Sequence, residues 1–558
     1  MSANQSDLSA SKYGYDFVVA TTQRSINNSI RDYLWNTSFN LMKVYWNQDP
    51  VTNAPVRVSY EDLMVQTNGT DPLDVPSYSE GPPSQDIINI ENSMFYFAFE
   101  AMVGIPDGMD ESDVPDLITF NNDQSVLFKQ ICSTLKIASC EFSRSGMTFS
   151  NISQPDDDPW LFVSTVPLSN QSANSDEVPK NVNDTLAQLN KQYGPNAFSV
   201  QQLVYNFDNA AIESSPSIAS LIPGSDIDIV VSEVLVSTYF EEVKAAGQPV
   251  LNYNIVQNPQ AITPASLNMT ALELEISDYD PGSTQVSQQD IQDLSTLNYL
   301  CAVDGKRIPP PVKFDWNWVE ANEEFDGIVS VNRNSFAGNI EAQLDPYVTK
   351  NCNTPVISVY PDGLECKYSW DMASGTPTKS KPSTGAEVLD YSFYAYSEDG
   401  AGLGDFMGTM AVSDSFSLSV TFSGNTIQIA QSIEIRIDMR VGLDSESWSP
   451  VRKTITDTYT LGVDNYGQLT AALVSVPKDT SEATPQQGGI RDFFTNFNDI
   501  VSDATTWASS VANTSFMDIP VDVVQQFVFP GGNTFSYHNV LFSENQDLTS
   551  SINYLAIT

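Results

Sequence analysis

From Tyr13 to Leu34 the chain reads YGYDFVVATTQRSINNSIRDYL. On a period of about 3.6 residues Val19, Ile26, Ile30, Tyr33 and Leu34 gather on one face, with Arg24, Asn28 and Arg31 away from it. The pattern predicts an amphipathic helix that opens the folded chain, after a polar stretch, residues 1–12, expected to be disordered. Alternation then takes over. Strands are expected at Phe39–Trp46, Val56–Tyr60, Met94–Met102, Phe128–Phe142, Trp160–Leu168 and Phe198–Phe207, with a loop rich in Pro and Gly at Asn68–Ser84. In Met94–Met102 one face is Phe95, Phe97, Phe99 and Ala101 and the other Met94, Tyr96, Ala98 and Glu100; both are largely apolar, as in a strand that is covered on both sides or lines an apolar interior.

The period changes at Val231–Lys244, where Val231, Val234, Leu235 and Tyr239 fall at helical spacing. After the aromatic knot FDWNWVEANEEF (Phe314–Phe325) the pattern starts again: a helix is expected over Gly327–Leu344. Strands follow at Val356–Tyr360, Gly363–Trp370, Val388–Tyr396, Phe416–Phe422, Thr426–Val441 and Leu469–Val476. A last amphipathic helix, with Ile490, Phe493, Phe494, Phe497, Ile500 and Val501 on one stripe, precedes closing strands at Val524–Pro530 and Thr534–Phe542. Helix, strands, helix thus occurs twice. The expectation is an α+β fold of two similar units, residues 13–325 and 326–558, each a long amphipathic helix wrapped by a bent antiparallel sheet. Whether the closing strands stay with the second unit or pack back on the first is open at this level.

Charge narrows the partners. Lys and Arg number 25 against 70 Asp and Glu, a formal net charge of -45. Such a field repels nucleic acid, whose binding needs clustered cations. No window has the apolar length of a membrane span, and MSANQSDLSASK carries no apolar run, so a protein without signal peptide is expected, cytoplasmic or released by another route.

Candidate chemistry is sparse. One histidine, His538, excludes a histidine-based metal site, and no GxSxG accompanies it. Asp110 with Asp113, Asp156 to Asp158, and Asp278 with Asp280 lack the spacing of a calcium loop. In GAGLGD, Asp405 stands where a dinucleotide fingerprint needs its third glycine. Cys132, Cys140, Cys301, Cys352 and Cys366 form no CxxC; Cys132 with Cys140 or Cys352 with Cys366 could pair across strands, but buried free thiols are the expectation. No enzyme, cofactor or metal is predicted.

The segments YGYDFVVATTQRSINNSI, FSVQQLVYNFDNA and FVFPGGNTFSYHNVLFSENQDL resemble the tubular lipid-binding (TULIP) superfamily. The nearest branch is the OrfX-type accessory proteins of clostridial neurotoxin clusters and their uncharacterised bacterial and fungal relatives. The resemblance implies a long helix lying in a bent antiparallel sheet, two such units in tandem, and apolar space that holds lipid in some members. The function expected is therefore binding of a lipid or other hydrophobic molecule in the seam between helix and sheet. Val19, Ile26, Ile30, Phe95, Phe97, Phe99, Val234, Leu235, Phe493, Phe494 and Phe497 are the candidate lining. The alternative is a structural or interaction protein, a toxin-complex accessory or self-assembling component, with a protein partner or self-association and a fully packed seam.

Overall fold

The computed structural model describes residues 2–483 and 535–554, apart from 111–112, 122–123, 144–145, 156, 174–177, 179, 217–225, 248, 263–264, 284, 403–406 and 468. The stretch expected to be one opening helix is two elements. Strand β1 (Phe17–Thr22) runs straight into helix α1 (Gln23–Asn36), whose first turn is capped by the Thr22 side chain accepting from the Ser25 N–H. All six residues of FVVATT are buried. The helical count failed here because four of the six are β-branched and the run is covered on both faces, which removes the polar alternation that marks a strand. The same correction applies at Gly327–Leu344: Gly327–Val331 is a strand and the helix starts at Arg333, behind an Asn332 cap.

The first part continues with β2 (Met42–Gln48), β3 (Pro55–Val58), α2 (Tyr60–Gln66), α3 (Gln85–Asn92), β4 (Phe95–Val103), β5 (Ile118–Phe120), β6 (Ser125–Gln130), β7 (Cys132–Ser143), β8 (Gly146–Ser153) and β9 (Phe162–Ser172). Then come α4 (Lys180–Tyr193), β10 (Phe198–Tyr205), β11 (Ala211–Ser214), α5 (Asp226–Ala245), β12 (Val250–Gln257), β13 (Met269–Ser277), α6 (Gln288–Leu294) and β14 (Thr296–Val303). Helix α5 contains the predicted Val231–Lys244 helix; α2, α3, α4 and α6 were not anticipated. Two antiparallel sheets result, in the orders β3-β2-β4-β7-β8 and β12-β10-β9-β6-β5.

The rest is β15 (Gly327–Val331), α7 (Arg333–Asn351), β16 (Asn353–Asp362), β17 (Glu365–Ser374), β18 (Thr378–Ser380), β19 (Glu387–Ala401), β20 (Gly408–Ser423), β21 (Thr426–Val441), β22 (Asp444–Val463), β23 (Leu469–Asp479), β24 (Phe535–Phe542) and β25 (Leu548–Tyr554). Strands β18 to β23 form one antiparallel sheet in sequence order. Helix α7 packs on it through Phe336, Ile340, Leu344 and Val348, with the Phe336 ring 5.4 Å from that of Phe422. The fold is α+β. Among the described residues no helix is long and apolar enough to cross a membrane. The predicted helix around Phe493 and the strand Val524–Pro530 lie outside the described residues.

A six-stranded sheet, β13-β14-β1-β15-β25-β24, joins the two ends and the middle of the chain. At its centre β1 and β15 run antiparallel with Val19 opposite Val329, Phe17 opposite Val331 and Thr21 opposite Gly327. The pattern around this pair is two-fold. The Thr22 N–H bonds the Asp326 carbonyl and the Asn332 N–H bonds the Asp16 carbonyl, both at 2.9 Å, so each helix cap is held by the residue that leads into the other strand. The closing strands β24 and β25 lie beside β15, not over α1.

Residues 2–12 are ordered, contrary to the sequence expectation. Leu8 is fully buried with Tyr13, Tyr15, Trp316 and Trp318 against Val18, Ala20 and Ile328, the face of the central sheet turned away from the helices. The buried Asp547 carboxyl fastens the segment, accepting from the Leu8 N–H at 2.6 Å and the Ser6 hydroxyl at 2.8 Å. A polar segment with few large apolar residues is held here by one leucine and a buried acceptor, which composition does not reveal.

Gly327 shows how tight the central pairing is. A Cβ added there would lie 2.1 Å from the Ala20 carbonyl oxygen, a backbone atom that cannot swing away. Gly327→Ala is expected to destabilise the protein by about 1–3 kcal/mol or more, as overpacking does, measured as a lower midpoint in urea unfolding of the full chain.

Candidate ligand cavity

The expected seam is present but closed. Val19, Ile26, Ile30, Phe97, Phe99 and Leu235 belong to one core, none more than 4% exposed, and Val234 packs on its margin. Trp46 stacks on Phe97 with centroids 4.5 Å apart. Helix α1 is also tied down by polar groups: the buried Asn27 side chain donates to the Ile118 carbonyl and accepts from its N–H, and the Phe120 N–H donates to Gln23. In this way α1 acts as the neighbour that the edge of β5 lacks.

Phe95 does not join the other two phenylalanines. Trp46 pairs with Phe97 but Asn47 pairs with Phe95, so Tyr96 is an extra residue, a β-bulge that reverses the face. Phe95 packs instead with Tyr45, Leu63, Ile90 and Phe149 under α2 and α3. Phe493, Phe494 and Phe497 lie outside the described residues.

Open space lies under the second helix. A cavity of about 310 Å³ is lined by Tyr347 of α7, Phe416 of β20, Gln431 and Ile433 of β21, Lys453 and Ile455 of β22, and Pro477 to Asp479 of β23. Two further cavities, of about 770 and 330 Å³, lie beside β24 and beside α5. None of the three is lined by Val19, Ile26, Ile30, Phe95, Phe97 or Phe99.

The register of β21 explains the first cavity. Its inward positions are Ile427, Ile429, Gln431, Ile433, Ile435, Ile437 and Met439, all buried. One amide therefore stands in a row of aliphatic side chains. Gln431 Oε1 accepts from the Tyr347 hydroxyl, which leaves Nε2 buried with no partner among the described residues. An unpaired buried donor costs about 1–3 kcal/mol. Across the sheet Ile433 is paired with Lys453, whose ammonium lies 3.5 Å from Asp479 Oδ2. The cavity thus has an apolar wall, a buried amide donor and an ammonium group. The sequence carries the signal for Gln431 in TIQIAQSIEIRIDMRV, where the inward period is broken once.

Two carboxyls close to α7 are also out of place. Asp414 takes an inward position of β20, accepting from the Asn353 N–H at 2.9 Å, and burial raises its pKa to about 7 against that hydrogen bond. Asp547 sits at the start of α7, accepting from the Arg333 N–H at 3.0 Å; burial raises it to about 6, opposed by donors from Leu8, Arg333 and Ser6. His538 stacks on Phe325, and its Nε2 lies 3.0 Å from Ser536 Oγ.

All five cysteines are free and buried. Burial pushes the Cys132 and Cys352 thiols up to about 12 and raises those of Cys140, Cys301 and Cys366.

No family model matches the chain, and no curated protein matches it. Solved structures similar to it include P47 from Clostridium botulinum A2, at 11% identity over 97% of this chain and 98% of that one, with a TM-score of 0.41. P47 of Clostridium botulinum E1 matches at 10% identity over 97% and 100%, with a TM-score of 0.40. A lipopolysaccharide binding protein matches at 8% identity over 98% and 99%, with a TM-score of 0.30. Likeness at this level carries no functional weight. The class defined by the coordinates themselves is an α+β protein with a cavity between a helix and its sheet.

The raised carboxyls fix the direction of pH dependence. Asp414 and Asp547 hold a proton more tightly folded than unfolded, so their contribution is complete below the ordinary Asp range and is lost as pH rises through about 6 and 7. The melting temperature should therefore fall between about pH 5 and pH 8, and Asp414→Asn should raise it at the upper end and flatten the profile. Thiol titration gives a second check: a soluble thiol reagent should label none of the five cysteines until the chain unfolds.

Proposed function

We propose that the chain comprises two TULIP-like units, residues 13–325 and 326–558, and that it binds a lipid or other hydrophobic molecule between α7 and the β18–β23 sheet. The two-fold register about Val19 and Val329, with a strand feeding a capped helix on each side, supports the two-unit reading. The observation that carries the binding reading is the cavity of about 310 Å³ at Gln431, which falls in the range of ligand sites, about 300–1,000 Å³. Each methylene buried there is worth about 0.8 kcal/mol, so six give a gross stabilisation of about 5 kcal/mol. The mechanism is sequestration: the apolar body lies on Phe416, Ile433 and Ile455, and no bond is made or broken.

The closed seam at α1 favours a second reading for that part of the chain, a packed structural or interaction element. On this account only the α7 side takes ligand.

Native mass spectrometry of the full-length protein, with lipid analysis after denaturing extraction, tests the proposal. A mass excess of one hydrophobic molecule is expected, absent from Ile455→Glu. A bare mass that gains nothing when lipid is added overturns it.

A further inference from the structure

The chemistry of the cavity wall narrows the ligand, if the binding reading above is taken as its basis. We infer that the molecule held there is a single-chain amphiphile with a carboxylate head, which accepts from Gln431 Nε2 and pairs with Lys453. Three observations converge on this class.

Gln431 is 7% exposed, and Nε2 lacks a partner among the described residues while Oε1 is held by Tyr347. With its oxygen engaged, the free end of the amide is a donor, so it selects an oxygen acceptor and rejects an alkylammonium head. Lys453 projects from the neighbouring strand beside Ile433, on the cavity face, where it stands opposite Asp479. An ionised oxygen bonded to both amide and ammonium gains more than a neutral hydroxyl at the same place, because charge-assisted hydrogen bonds are the stronger kind. The remaining wall, Phe416, Ile433 and Ile455, offers only hydrocarbon contact and so asks for an alkyl body.

The test is calorimetric titration of the full chain, cleared of any co-purified lipid, with dodecanoate, 1-dodecanol and dodecylamine. Dodecanoate should bind more tightly than the alcohol by about tenfold or more, and the amine should show no saturable binding. Lys453→Gln, a change at a partly exposed position, should remove most of the margin between acid and alcohol. Gln431→Leu should weaken the acid and strengthen the alcohol; if that variant fails to fold, Lys453→Gln alone decides. Equal binding of acid and alcohol, unmoved by Lys453→Gln, overturns the carboxylate assignment and leaves the hydrophobic cavity standing. Absence of binding by all three probes removes both.

Discussion

The structure depends on the antiparallel contact between β1 and β15. These strands lie more than three hundred positions apart in sequence, yet each is the direct run-in to a helix, and each supplies the carbonyl that holds the other's helix cap. Because the pair sits in the middle of a six-stranded sheet, its residues are buried on both faces. Phe17, Val19, Val329 and Val331 meet the helices, while Val18, Ala20 and Ile328 are covered by the first residues of the chain and the Trp316 and Trp318 knot. Placing the two strands therefore sets where α1 and α7 begin. It also explains why the N-terminal segment is ordered: without Leu8 and its neighbours the back of the central sheet would face water.

The two helix-to-sheet seams differ because of where polar side chains fall. On α1 the buried amides of Gln23 and Asn27 turn outward to the backbone of β5, so they satisfy a sheet edge and leave the aliphatic side free to close on Phe97, Phe99 and Leu235. On the α7 side the polar groups stand in the sheet itself. Gln431 and Lys453 occupy inward positions among isoleucines, and aliphatic side chains cannot close around a long amide and an ammonium without stripping them of hydrogen-bond partners. The net charge of -45 bears on partners and solubility, whereas the few cations near β22 bear on the cavity.

Much of the strand content could be read directly. The long alternating runs at Phe416–Phe422 and Thr426–Val441 became β20 and β21, because a sheet with one buried face writes its period into the chain. The stretch Val231–Lys244 was recognisable as part of α5 by its helical spacing. At Val19 and Val329 a doubly buried strand and an amphipathic helix adjoin with no polar break between them, so periodicity does not mark the boundary. The bulge at Tyr96 was equally invisible: one extra residue reverses a face without altering the composition of the strand. Phe95 was therefore grouped with Phe97 and Phe99 although it serves a different core.

The sequence by itself determined the class of fold and the sign of the electrostatic field, because these follow from periodicity and counting. Tertiary structure alone decided which seam is open. That outcome turns on register across three strands and one helix, bringing Tyr347, Gln431 and Lys453 together from positions with no common local pattern. A single glutamine in an aliphatic row is a minor irregularity along the chain; only folding buries it and leaves its Nε2 without a partner among the described residues.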